Sequence, residues 1–325
     1  MKVLYLGRRS DETDPWAGEF FKALAGRYPV EFFDPAQPLP QQFAGVEVVL
    51  DPGGAWNTPE RIAAAKVAGV KLWQVTTNGL DKVHVASFFE HGLPLAHAPG
   101  PLSAVALAEH ALMFILCLAK NLALNQRDMR SAMPNPVIND ELSGKVLGNI
   151  GLGASGRELA IRAKALGMRV MAIDIAGVSE TVRQELGLEL FGDLSQFETV
   201  LRQADYISLH TPLTPQTRHM LNRDTLGLMK PTAALINIAR GPLIDEAALL
   251  EALQNGRLRG AGLDVFEVEP VPPDHPLLHL PNVITTPHKA GVTFETARLR
   301  GQAAAENVVR VAEGKSPYYL VVTEQ

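Results

Sequence analysis

Along the first hundred residues, short and mostly apolar runs alternate with longer stretches of helical pattern. Residues 3–6, 30–33, 46–50, 72–76 and 95–98 are apolar and rich enough in branched side chains to be strands. Between them, 16–25, 59–68 and 84–91 are predicted to be helices. Thr58-Pro59-Glu60 is a strong helix start, with a capping hydroxyl, proline at the first helical position and an early acid. Strands alternating with helices imply a parallel sheet covered on both faces.

Ser103 then opens a long helix expected to reach about residue 123. The stretch 130–136 ends it, because Pro134 and Pro136 each block continuation. A second alternating series starts at Lys145. Strands are expected at 146–150, 169–173, 206–209, 234–237, 260–265 and 283–285, and helices at 155–166, 180–186, 196–203 and 246–254. Gly167, Gly187 and Gly256 stand where a left-handed helix stop is wanted. Residues 294–313 form a last helical stretch with no strand pair after it. It is expected to pack back on the first domain and make that domain discontinuous. The division is therefore 1–100 with 292–325 against 101–291.

Composition narrows the function classes. A length of 325 residues suits two domains with a core each. A formal charge of −5 argues against nucleic acid as the main partner. The single Cys117 cannot form an internal disulfide, which fits a reducing compartment. The apolar run at the N-terminus is too short for a signal peptide, and Glu109 and His110 interrupt the apolar stretch 104–119. No membrane association and a cytoplasmic location are the expectations. No repeat at solenoid spacing and no Cys/His cluster at metal spacing occurs, so no metal is expected.

Two groups of residues carry chemistry. Gly151-Leu152-Gly153-Ala154-Ser155-Gly156 follows an apolar run and opens a helix. Glycine makes up 27 of 325 residues, so the bare spacing is expected by chance about 0.2 times in such a chain. Its placement between strand and helix is what makes it a phosphate loop. Gly151 permits the turn, Gly153 lets backbone approach a pyrophosphate, and Gly156 lets helix and strand pack. Asp174, at the end of the next strand, is where a carboxylate would bind the ribose hydroxyls of NAD. Further on come Asn237-Ile238-Ala239-Arg240-Gly241, Asp264-Val265-Phe266-Glu267-Val268-Glu269-Pro270 and Thr286-Pro287-His288. An arginine, a carboxylate and a histidine, each at a strand-to-loop boundary, can hold an acid and move a proton.

From Gly144 to Thr293 the chain resembles the D-isomer-specific 2-hydroxyacid dehydrogenases. The resemblance rests on the glycine loop, on Ser208-Leu209-His210-Thr211-Pro212-Leu213-Thr214-Pro215-Gln216-Thr217, on Met229-Lys230-Pro231 and on the three segments above. The first domain matches more loosely, at Asn78-Gly79-Leu80-Asp81 and Ala108-Glu109-His110-Ala111-Leu112. The resemblance implies an α/β chain: a Rossmann-type dinucleotide-binding domain plus a discontinuous flavodoxin-like substrate domain. It implies hydride transfer between NAD and a small 2-hydroxy or 2-keto acid. Arg240 would hold the substrate carboxylate and C2 oxygen, His288 would be the acid/base, and Glu269 would orient His288. The backbone of Asn78 and Gly79 would grip the carboxylate. Cofactor contacts would come from Gly151, Gly153, Ala154, Ser155, Gly156, Asp174, His210, Thr211, Pro212, Thr217, Ile238, Ala239, Arg240, Asp264, His288 and Gly291. The remaining histidines, His110 among them, are expected at surface, cap or core positions, and Glu267 is expected to be solvated or structural. A homodimer is the expected assembly.

Three departures stand out. Ala154-Ser155 replaces the Arg-Ile pair usual in the glycine loop, which weakens the expected grip on the dinucleotide. The tryptophan common before that loop is missing. Lys289 follows His288 where an apolar residue is usual, and is expected to face solvent. Glutamate at 269 disfavours the formate dehydrogenase branch, and asparagine at 78 the phosphite branch; no regulatory domain is expected after Gln325. A short phosphoglycerate enzyme, a glyoxylate or hydroxypyruvate reductase and a broad 2-keto-acid reductase stay open. So does a dinucleotide-sensing binding protein of the co-repressor type, which keeps the same triad.

Overall fold

The computed structural model describes residues 1–7, 15–131 and 138–322; the prolines expected to end the long helix lie outside them. The chain forms two compact units, Met1–Leu102 with Val292–Gln325, and Ser103–Gly291.

The first unit runs β1 (Lys2–Tyr5), α1 (Pro15–Leu24), β2 (Val30–Phe32), α2 (Leu39–Phe43), β3 (Val46–Asp51), α3 (Pro59–Val67), β4 (Leu72–Val75), α4 (Val85–His91) and β5 (Leu95–Ala96). Its sheet has the order β2-β1-β3-β4-β5, parallel throughout. Successive side chains alternate between two cores. Val3, Tyr5, Val48 and Leu50 pack with Phe20 and Leu24 on one face, while Leu4, Leu6, Val49 and Trp73 pack with Ile62 and Phe88 on the other. Thr58 caps α3 by accepting from the Arg61 amide, with Pro59 in the first turn. α2 was not legible as a helix. It is a five-residue turn that buries Phe43 against Trp73 and is held by Gln42, whose side chain bonds both backbone groups of Asp34.

The second unit contains α5 (Ala104–Ala119), α6 (Leu122–Ser131), β6 (Val146–Ile150), α7 (Ala154–Ala165), β7 (Arg169–Ile173), α8 (Glu180–Leu186), β8 (Leu188–Gly192), α9 (Phe197–Gln203), β9 (Tyr206–Leu209), α10 (Arg223–Leu226), β10 (Ala234–Asn237), α11 (Glu246–Gln254), β11 (Gly260–Leu263) and β12 (Val283–Thr285). Its sheet is again parallel, in the order β12-β11-β10-β9-β6-β7-β8. The chain leaves β6 toward β7 and returns on its other side with β9, so the sheet changes direction there. In open α/β sheets ligands bind outside the carboxyl ends of the strands at such a point.

Two differences from the sequence expectation have physical causes. The long helix breaks at Asn121, whose φ of 47° ends α5 and lets α6 start; asparagine adopts this left-handed conformation more readily than most residues. β8 is an unexpected edge strand. The last helix, α12 (Phe294–Ala312), belongs to the first unit, where Ala304, Ala305 and Val308 enter the core beside Tyr5 and Phe20, and Asn307 bonds Gln74. Among the described residues no single helix is long and apolar enough to cross a membrane.

Candidate active site

The glycine loop leaves β6 at the point where the sheet reverses. Gly151 has φ of 99°, and a Cβ there would stand 2.7 Å from both the carbonyl carbon and oxygen of His210. Only glycine allows the two loops to pass this closely. Gly156 is buried against the Gly151 carbonyl, whereas Gly153 has open space around it and starts α7 with no side-chain cap. The first amides of α7 are thus left for an outside acceptor, which suits a pyrophosphate.

Asp174 follows β7. One carboxylate oxygen accepts from the Leu152 amide at 2.6 Å, the other from the Ala176 amide at 2.8 Å. The acid therefore ties the glycine loop to its own turn. Each oxygen keeps a second lone pair for a ribose hydroxyl.

Ser155 bonds Nδ1 of His210 at 3.0 Å, and Ser208 bonds Nε2 at 2.9 Å. Burial pushes the His210 imidazole down to about 3, so it is neutral. A residue that looked like a loss in the glycine loop thus pins that loop to the one after β9. In the latter, Thr217 donates to the Pro212 carbonyl and accepts from the Thr214 amide, closing the segment that carries Thr211 and Pro212.

Arg240 lies in the turn after β10. The buried Asn237 shapes this turn, donating to the Arg240 carbonyl and accepting from the Ala239 amide. Arg240 itself is half-buried and donates Nη1 to the Ala239 carbonyl at 2.7 Å. Gly241 lies flat against the turn after β11: a Cβ would stand 1.9 Å from the carbonyl carbon of Phe266. That contact brings the arginine turn beside the turn that carries Glu269.

Glu269 is fixed from two sides. Its Oε1 accepts from the Phe266 amide at 3.2 Å, and its Oε2 lies 2.8 Å from Nδ1 of His288. His288 has φ of 53°, and its amide donates to the carbonyls of Asp264 and Thr286. With Nδ1 facing the carboxylate, Nε2 is the nitrogen left for a substrate oxygen. Glu267 is directed elsewhere, pairing with His219 at 2.6 Å while its amide donates to Glu246. Burial raises the Glu246 carboxyl, which also lies 3.3 Å from His275.

Asp264, expected at the cofactor wall, is 1% exposed, with its carboxylate beneath the His288 loop. It accepts from the Thr286 hydroxyl at 2.5 Å and from the amides of Lys289 and Ala290 at 2.7 and 2.8 Å. Ile238, also expected at the cofactor, is buried in the apolar core, with Ala239 half-buried after it. Gly291 ends the unit, and the Lys289 side chain is exposed. Asn78 and Gly79 belong to the first unit, in the turn after β4, where Thr77 donates to the Gly79 carbonyl and His97 lies 3.3 Å from that of Asn78. The sequence reading missed Asn237, Phe266, Thr286 and His110 as parts of the site. Asn237 and Phe266 act on residues two or three positions away, inside segments already singled out, whereas Thr286 and His110 have no local signal because their partners lie 22 and 176 residues off.

Residues 112–290 match the family described as D-isomer-specific 2-hydroxyacid dehydrogenase, NAD-binding domain. A D-3-phosphoglycerate dehydrogenase of Methanocaldococcus jannaschii is 40% identical over 239 residues, 73% of this chain. The match spans 44% of that relative, less than half its length. A glyoxylate reductase of Korarchaeum cryptofilum is 36% identical over 268 residues, covering 81% of this chain and 78% of the relative. A crystal structure of D-lactate dehydrogenase with NAD+ from Lactobacillus jensenii superimposes with a TM-score of 0.83 and 28% identity, covering 99% of this chain and 100% of that one.

Proposed function

The chain belongs to the D-isomer-specific 2-hydroxyacid dehydrogenases, which are NAD-dependent enzymes, and on that premise we propose that it interconverts a short 2-keto acid and its D-2-hydroxy acid. Glyoxylate and hydroxypyruvate are the substrates favoured here, by likeness to the glyoxylate reductase, which is 36% identical over 81% of this chain. The observation that carries the reading is the 2.8 Å contact between Glu269 and Nδ1 of His288. It prepares one imidazole nitrogen to exchange a proton and leaves a carboxylate to stabilise the resulting cation.

The residues present fit the cofactor: an open glycine at 153, an uncapped start to α7 and a carboxylate at 174. Bound NADH supplies the hydride. In reduction, protonated His288 gives its Nε2 proton to the C2 oxygen, and in oxidation it takes that proton back. Arg240 is assigned the substrate carboxylate and C2 oxygen, for which a planar guanidinium gives both charge and alignment. The amides of Asn78 and Gly79 are assigned to substrate binding. Neutral His210, Ser155, Thr211, Pro212 and Thr217 form the cofactor side, with Asp174 at the ribose. Exposed Val105, Met113 and Leu116 on α5 and Ile161 on α7 support a homodimer, which light scattering reads directly.

A panel of glyoxylate, hydroxypyruvate, phosphohydroxypyruvate and pyruvate with NADH, followed at the nicotinamide absorbance, tests the proposal. Glyoxylate or hydroxypyruvate should give the highest kcat/KM. Absence of turnover on every member would refute the enzyme reading in favour of a dinucleotide sensor.

A further inference from the structure

The loop that displays His288 is held by a chain of side chains reaching back to α5. On β11, Gly262 has no side chain to keep that helix away: a Cβ there would stand 2.6 Å from Cβ and Cγ of Phe114. The Phe114 ring therefore lies directly against the strand. One helical turn earlier, His110 stacks edge-on against Phe114, with ring centres 4.8 Å apart. From there its Nε2 reaches the Thr286 hydroxyl at 2.8 Å.

The direction of this chain follows from chemistry. A carboxylate can only accept, so the Thr286 hydroxyl donates to Asp264 at 2.5 Å. That leaves the hydroxyl oxygen as acceptor for His110, whose Nε2 must carry the hydrogen. Asp264 then uses its remaining capacity on the amides of Lys289 and Ala290, the two residues after His288. A buried carboxylate needs all these donors, and losing one leaves it under-satisfied. His110 is 16% exposed at its side chain, and burial holds its imidazole below the ordinary histidine range, which keeps it neutral.

We propose that His110 is a positioning residue for the catalytic loop, its Nε2–H orienting Thr286 and, through Asp264, fixing residues 286–290 so that His288 is presented in its left-handed conformation. The reading of kcat rests on the function proposed above, whereas the reading of loop order does not. Two variants separate a hydrogen-bonding role from a packing role. His110→Leu keeps apolar bulk and removes the donor, while His110→Gln puts an amide donor at a similar reach.

Keto-acid reduction by His110→Leu should lose kcat by about tenfold, the worth of one lost hydrogen bond to an organised site, with NADH affinity changed less than about threefold. Amide exchange at Lys289 and Ala290 should quicken by about the same factor. His110→Gln should restore both to within about threefold of wild type. Wild-type kcat and wild-type amide protection in His110→Leu would overturn the proposal. So would equal losses in both variants, which would mean that ring packing on Phe114 is what matters. If His110→Leu does not fold, the 15N shifts of the wild-type ring decide: an Nε2-protonated neutral ring supports the proposal and an Nδ1-protonated ring refutes it. An inactive wild type would sink the functional reading and leave the exchange and tautomer results to judge the loop.

Discussion

Gly241→Ala is the most informative single change, because its damage can be worked out from distances. The added Cβ would stand 1.9 Å from the carbonyl carbon of Phe266, 2.0 Å from its oxygen and 2.4 Å from the Glu267 nitrogen. All three are backbone atoms, so no side-chain rotation relieves the overlap. To reach ordinary contact the two turns must part by roughly 1.5 Å. Overpacking of this kind costs about 1–3 kcal/mol of stability. In a domain of this size that corresponds to a fall in Tm of about 2–4 °C for each kcal/mol.

The larger effect is on the reaction. The parting moves Arg240, the neighbour of Gly241, away from Glu269, which is tied to the Phe266 amide. A displacement of about 1 Å in a reacting group typically costs around a hundredfold in rate. Steady-state reduction of the best keto acid should therefore lose about a hundredfold in kcat/KM. Titration of nicotinamide fluorescence should show a much smaller loss of NADH affinity, because the phosphate loop is built from β6 and α7. Gly153→Ala provides the reverse case. Its Cβ meets nothing within 4 Å, so Tm should hold while NADH affinity falls. A folded Gly241→Ala protein with kcat/KM within threefold of wild type would show that the two turns need not touch for catalysis.

Arg240→Lys should lower kcat by about a hundredfold or more while NADH binding stays nearly intact, since lysine keeps the charge and loses the two-pronged alignment; near-normal turnover would remove Arg240 from the mechanism. Glu269→Gln should lower kcat for keto-acid reduction by about tenfold or more, with NADH affinity little changed, because an amide at 269 can still touch His288 Nδ1 but does not hold it with the charge of a carboxylate; an unchanged kcat would uncouple the pair. Wild type should prefer NADH to NADPH, because Asp174 repels a 2′-phosphate. Asp174→Ala should weaken NADH binding and narrow the preference, and adding Ile175→Arg should narrow it further; a wild type that prefers NADPH tenfold would place the ribose contacts elsewhere.

The strands were legible because a parallel sheet covered on both faces leaves few positions polar. β1, β6 and β10 contribute to cores on either side, and most of their positions are apolar. Legibility fails where that condition fails. β8 is an edge strand with Glu189 turned outward to Arg169 between Leu188 and Leu190, so it lacks the continuous apolar run that marks the central strands. The break at Asn121 was missed because the apolar pattern continues past it to Leu122. There one backbone dihedral, rather than any loss of hydrophobicity, ends the helix.

In the site, order along the chain pointed to the proposed reactive groups but not to what holds them. Glu269 and His288 are 19 residues apart, and their motifs could be recognised separately. His110 and Thr286 are 176 apart and meet only because Gly262 lets α5 lie against β11. In sequence, that glycine looks like any weak strand residue. The same limit reversed the meaning of Ser155. Read alone, a serine in the glycine loop is a lost isoleucine. Beside the half-buried His210 it is a hydrogen-bond partner for a ring nitrogen, and it ties the two loops together. A small or polar residue's role is decided by which segment arrives opposite it, so motifs offer candidates for the reacting groups, while tertiary packing decides which residues can position them.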